Sequence, residues 1–271
     1  MRHIDLVAVI DSIPEGTQDA LQAVDDAMLG KLDDEKAQAT SKGNKHWSPV
    51  KPYLEGASNR KCWYTESKNP GCRNEVEHFR PKAKVLKDGH VEYWYWFLAF
   101  NPINYRLSSQ FSNGLNRNPV LGETGGKGNK FPLVSGSPRA TDMAGLGDEL
   151  PVILDPCVEA DTELLEFQPD GRPVLSMKHA EDAGARSRVE QSKLLLNLDY
   201  PTFNEGREVL YNNVKKLIDR GDRYVKQGID ALEDVQNDLR ALMTDDAEYS
   251  KAAECYIRCF REREWVESLI L

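Results

Sequence analysis

The chain has 271 residues, with 44 Asp and Glu against 35 Lys and Arg, and 40% of it is hydrophobic. That balance excludes a disordered or fibrous protein and supplies enough apolar material for a sizeable core. The longest apolar run, "YWYWFLAF" at 93–100, is too short to cross a bilayer, the first residues lack signal-peptide architecture, and five cysteines in no paired framework fit a reducing setting, so a cytoplasmic location is expected.

Residues 1–41 read as an N-terminal helical segment. Thr17 serves as a cap, and Leu21, Val24, Met28 and Leu32 recur three or four residues apart, which predicts one helix of about four or five turns. Residues 42–140 hold most of the Gly, Pro and Asn with few periodic runs, so short strands, loops and short helices are expected there. Charge sets this middle third apart. Residues 41–140 carry 16 Lys and Arg against 7 Asp and Glu, while both flanks are net acidic. Such a basic region suits an acidic partner such as nucleic acid; the alternative is an ordinary solvated face. In residues 141–271, "LLEFQPDGRPVLS" predicts two short strands, 164–167 and 174–176, about a Pro-Asp-Gly turn. From there to the end three- and four-residue spacing predicts helices, broken at Asp199, Pro201 and "TDDAE".

The chemistry-bearing residues sit in the middle segment. In "VEHFRPK" an acid, Glu77, precedes His78, with an aromatic and a proline following. This suits the end of a strand entering a loop, where adjacent side chains diverge and can serve two tasks. "NPINYRLSSQFSNGLN" places Asn104 and Asn113 nine residues apart around a helical turn, and the glycine-rich "GGKGNKFPL" carries Lys127 and Lys130. Asn104 could equally be a helix N-cap, and Asn113 ordinary turn chemistry.

The order acid-His, asparagine, asparagine, basic loop resembles the HNH (ββα-metal) endonucleases. "CWYTESK", "VEHFRPK", "YWYWFLAFNPINY" and "GKGNKFPL" in that order are more narrowly similar to the PtuB-like subunits of Septu-type and retron-associated anti-phage systems. The resemblance implies an α+β fold, mainly helical, with a ββα-metal nuclease core at 42–140 embedded in helices from both termini. It places His78 on the general base, Glu77 on the first metal ligand, Asn104 on the central asparagine and Asn113 on the helix metal ligand. Arg80, Lys82, Lys127 and Lys130 would face the phosphate backbone. The cofactor implied is Mg²⁺ or Mn²⁺, held by oxygen ligands, with a neutral imidazole activating water. Many relatives also carry two Cys-x-x-Cys pairs that bind zinc; here those positions read Cys62, Thr65, Ser109 and Ser112, so no structural zinc is expected. Burial of Trp63, Tyr64, Trp94 and Trp96 is expected to hold the unit instead. Implied partners are nucleic acid, a PtuA-like ABC/SMC-type ATPase and, in retron systems, a reverse transcriptase with its RNA–DNA hybrid. Two alternatives stay open: a catalytically degenerate adaptor that binds the ATPase, and the same chemistry directed at RNA such as tRNA. The apolar end of the chain, Trp265, Leu269, Ile270 and Leu271, could dock a partner or fold back on the protein's own core.

Overall fold

Asp5 begins the helical structure in the computed structural model, which describes residues 1–69, 71–87, 89–119 and 122–270. Its carboxylate accepts the Ala8 N–H at 3.0 Å and caps α1 (Leu6–Ser12). The single helix predicted from Thr17 is instead two, α2 (Glu15–Asp26) and α3 (Asp33–Ser41). Pro14, not Thr17, stands at the first N-terminus, since proline is preset for a helix entry. Around Gly30 the chain turns, and the run Asp33, Asp34 and Glu35 favours a fresh helix N-terminus, with Glu35 accepting the Leu32 N–H at 3.0 Å. Leu21 and Met28 are buried accordingly, whereas Leu32 is 76% exposed.

After α4 (Asn44–Trp47) and α5 (Lys51–Gly56) comes the unit that carries the sequence motifs. Strand β1 (Glu75–His78) pairs antiparallel with β4 (Tyr105–Ser108), Glu77 opposite Arg106 and His78 opposite Tyr105. A hairpin, β2 (Val85–Lys87) and β3 (His90–Tyr93), lies between them in sequence. Helix α6 (Gln110–Asn113) follows β4 at once because Ser109 caps it, its Oγ accepting the Ser112 N–H. Two strands and a helix thus form one local unit. The short pair β5 (Asn116–Arg117) and β6 (Thr124–Gly125) extends it.

The C-terminal part begins with α7 (Glu159–Thr162) and the expected hairpin, β7 (Leu165–Phe167) with β8 (Pro173–Leu175). Gly171 turns this hairpin at φ +80°, and a Cβ there would strike the Asn204 carbonyl, so the position requires glycine. Helices α8 (Ala183–Leu195), α9 (Pro201–Gln227), α10 (Leu232–Leu242), α11 (Ser250–Arg258) and α12 (Glu264–Glu267) complete an α+β fold with about 48% helix.

Among the described residues the buried apolar side chains form three clusters. The first joins Met1, Cys62, Tyr64, Phe79, Phe131, Ile153 and Val189; the second joins Leu21, Met28, Trp47, Leu54, Trp63, Tyr105 and Leu107. The paired strands β1 and β4 lie between these two. Both clusters therefore draw on residues outside 42–140, and the middle segment shares its cores with its flanks. The tryptophans and tyrosine expected to form one cluster are divided. Trp63 and Tyr64 are adjacent in the turn that the Glu66 N–H closes on the Cys62 carbonyl, and they point into different cores. Trp94 donates to the Lys82 carbonyl, and Trp96 takes the Lys36 ammonium over its ring. The third cluster ties α9, α10 and α11 together, and Trp265, Leu269 and Ile270 pack against it; Leu271 lies outside the described residues. The apolar chain end up to Ile270 thus folds back on its own core. No helix among the described residues is long and apolar enough to cross a membrane.

Candidate functional site

Strand pleating sends Glu77 and His78 to opposite faces of β1. Glu77 is 2% exposed, and its Oε2 accepts the Tyr64 hydroxyl at 2.9 Å. Its Oε1 meets the Lys127 ammonium at 2.5 Å, and that ammonium also donates to the His78 carbonyl at 2.7 Å. Lys127 arrives there because its loop closes the end of α6: the Lys127 N–H donates to the Ser112 carbonyl and the Gly128 N–H to the Asn113 carbonyl. Gly126, at φ +95°, allows this closure, since a Cβ there would hit the Gly114 carbonyl. Burial and the adjacent Glu77 push the Tyr64 hydroxyl far up, so it stays a donor.

His78, 6% exposed, lies edge-on to Trp47 (4.8 Å between ring centroids) and Tyr105 (5.0 Å). Its Nε2 is 2.9 Å from the Ala99 carbonyl oxygen. A carbonyl only accepts, so Nε2 carries the ring proton and Nδ1 keeps its lone pair. Burial, reinforced by Lys82 and then Lys127, lowers the imidazole pKa well below its ordinary value, the Ala99 carbonyl opposing. The ring is therefore neutral at pH 7, with Nδ1 unprotonated. Lys82, mostly buried itself, rests its ammonium 5.0 Å from the centre of the Trp47 ring.

Asn104 clamps the chain just past His78. Its Oδ1 accepts the Arg80 N–H at 2.7 Å, its Nδ2 donates to the Arg80 carbonyl at 2.9 Å, and its own carbonyl accepts from Phe79. The helical turn here is capped by Asn101, so Asn104 is not an N-cap. Asn113 on α6 donates to Glu75 Oε2 at 2.7 Å. Glu75 was missed in the sequence, although its place two residues before Glu77 puts it on the same strand face. Trp47, the ring beside His78, carried no sequence signal.

Glu77 and Asn113 offer oxygen donors of the kind a hard divalent cation takes. As folded, however, Glu77 is engaged by Lys127 and Tyr64, and Asn113 turns its NH₂ to Glu75. The described residues do not fit a bound divalent ion in this arrangement. Cys62, Thr65, Ser109 and Ser112, the positions of the implied zinc thiolates, are all buried. Ser109 donates its N–H to Cys62 Sγ at 3.3 Å and its Oγ to Ser112 Oγ at 3.2 Å, while Thr65 pairs with Ser67.

The four cations expected on the phosphate path differ. Lys130 is exposed. Arg80 pairs with buried Glu149 at 2.6 Å, and Lys127, 1% exposed, is turned inward to Glu77. A further polar groove of about 450 Å³ passes Glu75, with Trp47, Lys51 and Arg73 along it.

No protein-family profile matches the chain. The chain is 32% identical over 142 residues to Septu protein PtuB of Bacillus mycoides (strain KBAB4), an alignment covering 51% of this chain and 44% of that relative. The chain thus spans less than half the length of the curated relative it matches.

Proposed function

We propose that this chain is the nuclease subunit of a Septu-like anti-phage defence assembly, hydrolysing phosphodiester bonds with His78 as general base. The observation that carries the proposal is the state of His78: neutral, locked with its proton on Nε2, and held at a strand end whose continuation Asn104 clamps through both backbone groups of Arg80. Nδ1, unprotonated at pH 7, would take a proton from the attacking water. Lys82 beside it would lower the cost of bringing a phosphate there, and exposed Lys130 would hold the backbone further out. Similarity to a Septu protein and the basic middle segment support the assignment to defence and to a nucleic-acid substrate.

The resemblance implies Mg²⁺ or Mn²⁺ at Glu77 and Asn113, which as folded do not fit it, and the absence of a structural zinc belongs to this proposal. No step here is routed through either metal. The partner would be a PtuA-like ABC/SMC-type ATPase, joined in a retron system by a reverse transcriptase with its RNA–DNA hybrid. The helical flanks would make the ATPase contact, and cleavage would be slow without it.

The test is incubation of the purified chain, alone and with its ATPase, with plasmid DNA and with total tRNA, in Mg²⁺, Mn²⁺ or EDTA. DNA cleavage lost in His78→Ala, with an unchanged circular dichroism spectrum, is expected. Cleavage of tRNA alone would move the same chemistry to RNA. Undiminished cleavage by His78→Ala would remove the base, and no cleavage with the ATPase present would favour a binding adaptor.

A further inference from the structure

Two of the four cations expected to face phosphate are committed inside the protein, Arg80 to Glu149 and Lys127 to Glu77. Surface basic charge collects instead on the other side of β1. Residues 42–51 carry Lys42, Lys45 and Lys51 with no acid among them. Lys51 from this run and Arg73 from the turn before β1 both line the polar groove of about 450 Å³. We propose that this groove is the path of one unpaired strand of nucleic acid, with Lys51 and Arg73 on its phosphates and Trp47 joining it to the proposed base. The inference deepens the nuclease reading and rests on its nucleic-acid substrate.

Arg73 is exposed and makes no ion pair among the described residues. Lys51 reaches Glu55 only at 3.5 Å, a pair that water shares, so its ammonium exchanges readily onto a phosphate. Glu75, the carboxylate in the lining, opposes an anion there, but both its oxygens accept from amides, Asn113 at 2.7 Å and Gln110 at 3.4 Å. The backbone of β1 adds a donor. Because the Phe79 N–H bonds to the Asn104 carbonyl, the alternation of an antiparallel ladder turns the peptide groups of Val76 away from β4. Val76 lines the groove, and no strand among the described residues pairs with that edge of β1. A backbone N–H on such an edge is a group that phosphate oxygens take. Trp47 then connects the groove to the chemistry: it lines the groove, and its ring stands 4.8 Å from that of His78 and 5.0 Å from the Lys82 ammonium. A strand held here is one ring away from the proposed base. His78 itself is 6% exposed, so a phosphate reaches it only by descending between side chains. A duplex is a stiff rod, whereas a single strand bends into a cleft between one helical turn and one strand edge.

The experiment is fluorescence anisotropy of the full chain with short labelled oligothymidylate, oligouridylate and a hairpin duplex, in EDTA across a salt series. Lys51→Ala and Arg73→Ala are each expected to weaken single-strand binding about fivefold and to lower the slope of log K against log salt by about 0.7, one phosphate contact each. Lys215→Ala, at an exposed lysine on α9, is expected to change neither. Tighter binding of either single strand than of the hairpin supports the groove, and the better of the two tells DNA from RNA. Wild type supplies an arm that needs no variant. Photo-cross-linking of an iodouracil-substituted strand, read by mass spectrometry, should mark peptides containing residues 44–51 or 73–76. Unchanged salt slopes in both variants, tighter binding of the hairpin, cross-links confined to other peptides, or no binding by wild type would each overturn the proposal. Failure of the nuclease reading shows elsewhere, as undiminished cleavage by His78→Ala, and leaves these binding readouts untouched.

Discussion

Replacing Asn104 with alanine removes the acceptor of the Arg80 N–H at 2.7 Å and the donor to the Arg80 carbonyl at 2.9 Å, together with a longer bond to Leu98. Each buried polar group left without a partner costs about 1–3 kcal/mol. Three groups lose a partner, the two on Arg80 only part-buried and the longer Leu98 bond buried, which puts the loss for Asn104→Ala at about 3 kcal/mol. The assay is urea denaturation at pH 7 followed by circular dichroism, with the free energy extrapolated to water. Asn104→Asp sharpens the test, because a carboxylate keeps the acceptor for the Arg80 N–H but aims a second oxygen at two carbonyl oxygens. It should be at least as unstable as Asn104→Ala at pH 7 and should recover as acid protonates the carboxyl and restores a donor. If the clamp also aims His78, cleavage by Asn104→Ala should fall about 100-fold with little change in KM, the size of loss expected from a misplaced reacting group. A stability change under about 0.5 kcal/mol for Asn104→Ala, or a wild-type melt for Asn104→Asp at pH 7, would refute the reasoning.

Because burial and then Lys82 hold the His78 imidazole below its ordinary pKa, the folded chain binds fewer protons there than the unfolded chain once pH drops under about 6.5. The stability that depends on the neutral ring is complete above that pH and is lost as pH falls. His78→Phe should therefore flatten this part of a pH series of denaturation midpoints, and an unchanged slope would contradict it. Arg106 grips Asp155 through two bonds of 2.7 Å; burial alone would raise that carboxyl, but the guanidinium overrides it and holds it low. Arg106→Met should cost about 3–5 kcal/mol by stranding a buried charge, and Arg106→Met with Asp155→Leu should regain much of it; a single variant that melts like wild type argues against the pair. Elemental analysis of the purified chain should find no stoichiometric zinc, since one thiol and three hydroxyls cannot supply a tetrahedral structural site; one tightly held zinc per chain would show otherwise.

What the sequence by itself determined is local. The turn at Pro169-Asp170-Gly171 required its hairpin, because the φ of Gly171 and the alternating flanks are decided within a few residues. The helical turn expected between Asn104 and Asn113 is α6, and an acid-His pair before Phe79 and Pro81 marked a strand end, which is where β1 stops. Periodicity also signalled the C-terminal helices, though it ran two N-terminal helices into one because Leu32 continues the spacing past the turn at Gly30. The tertiary structure alone decided which groups touch. A lysine in a glycine-rich loop reads the same whether it faces water or a buried carboxylate, and only closure of that loop on α6 brought Lys127 to Glu77. Trp47 reached His78, and Asn113 found Glu75, through packing between elements distant in the chain. Spacing along a chain fixes the face on which a side chain stands, while the charge it meets depends on residues whose proximity exists only once the chain has closed.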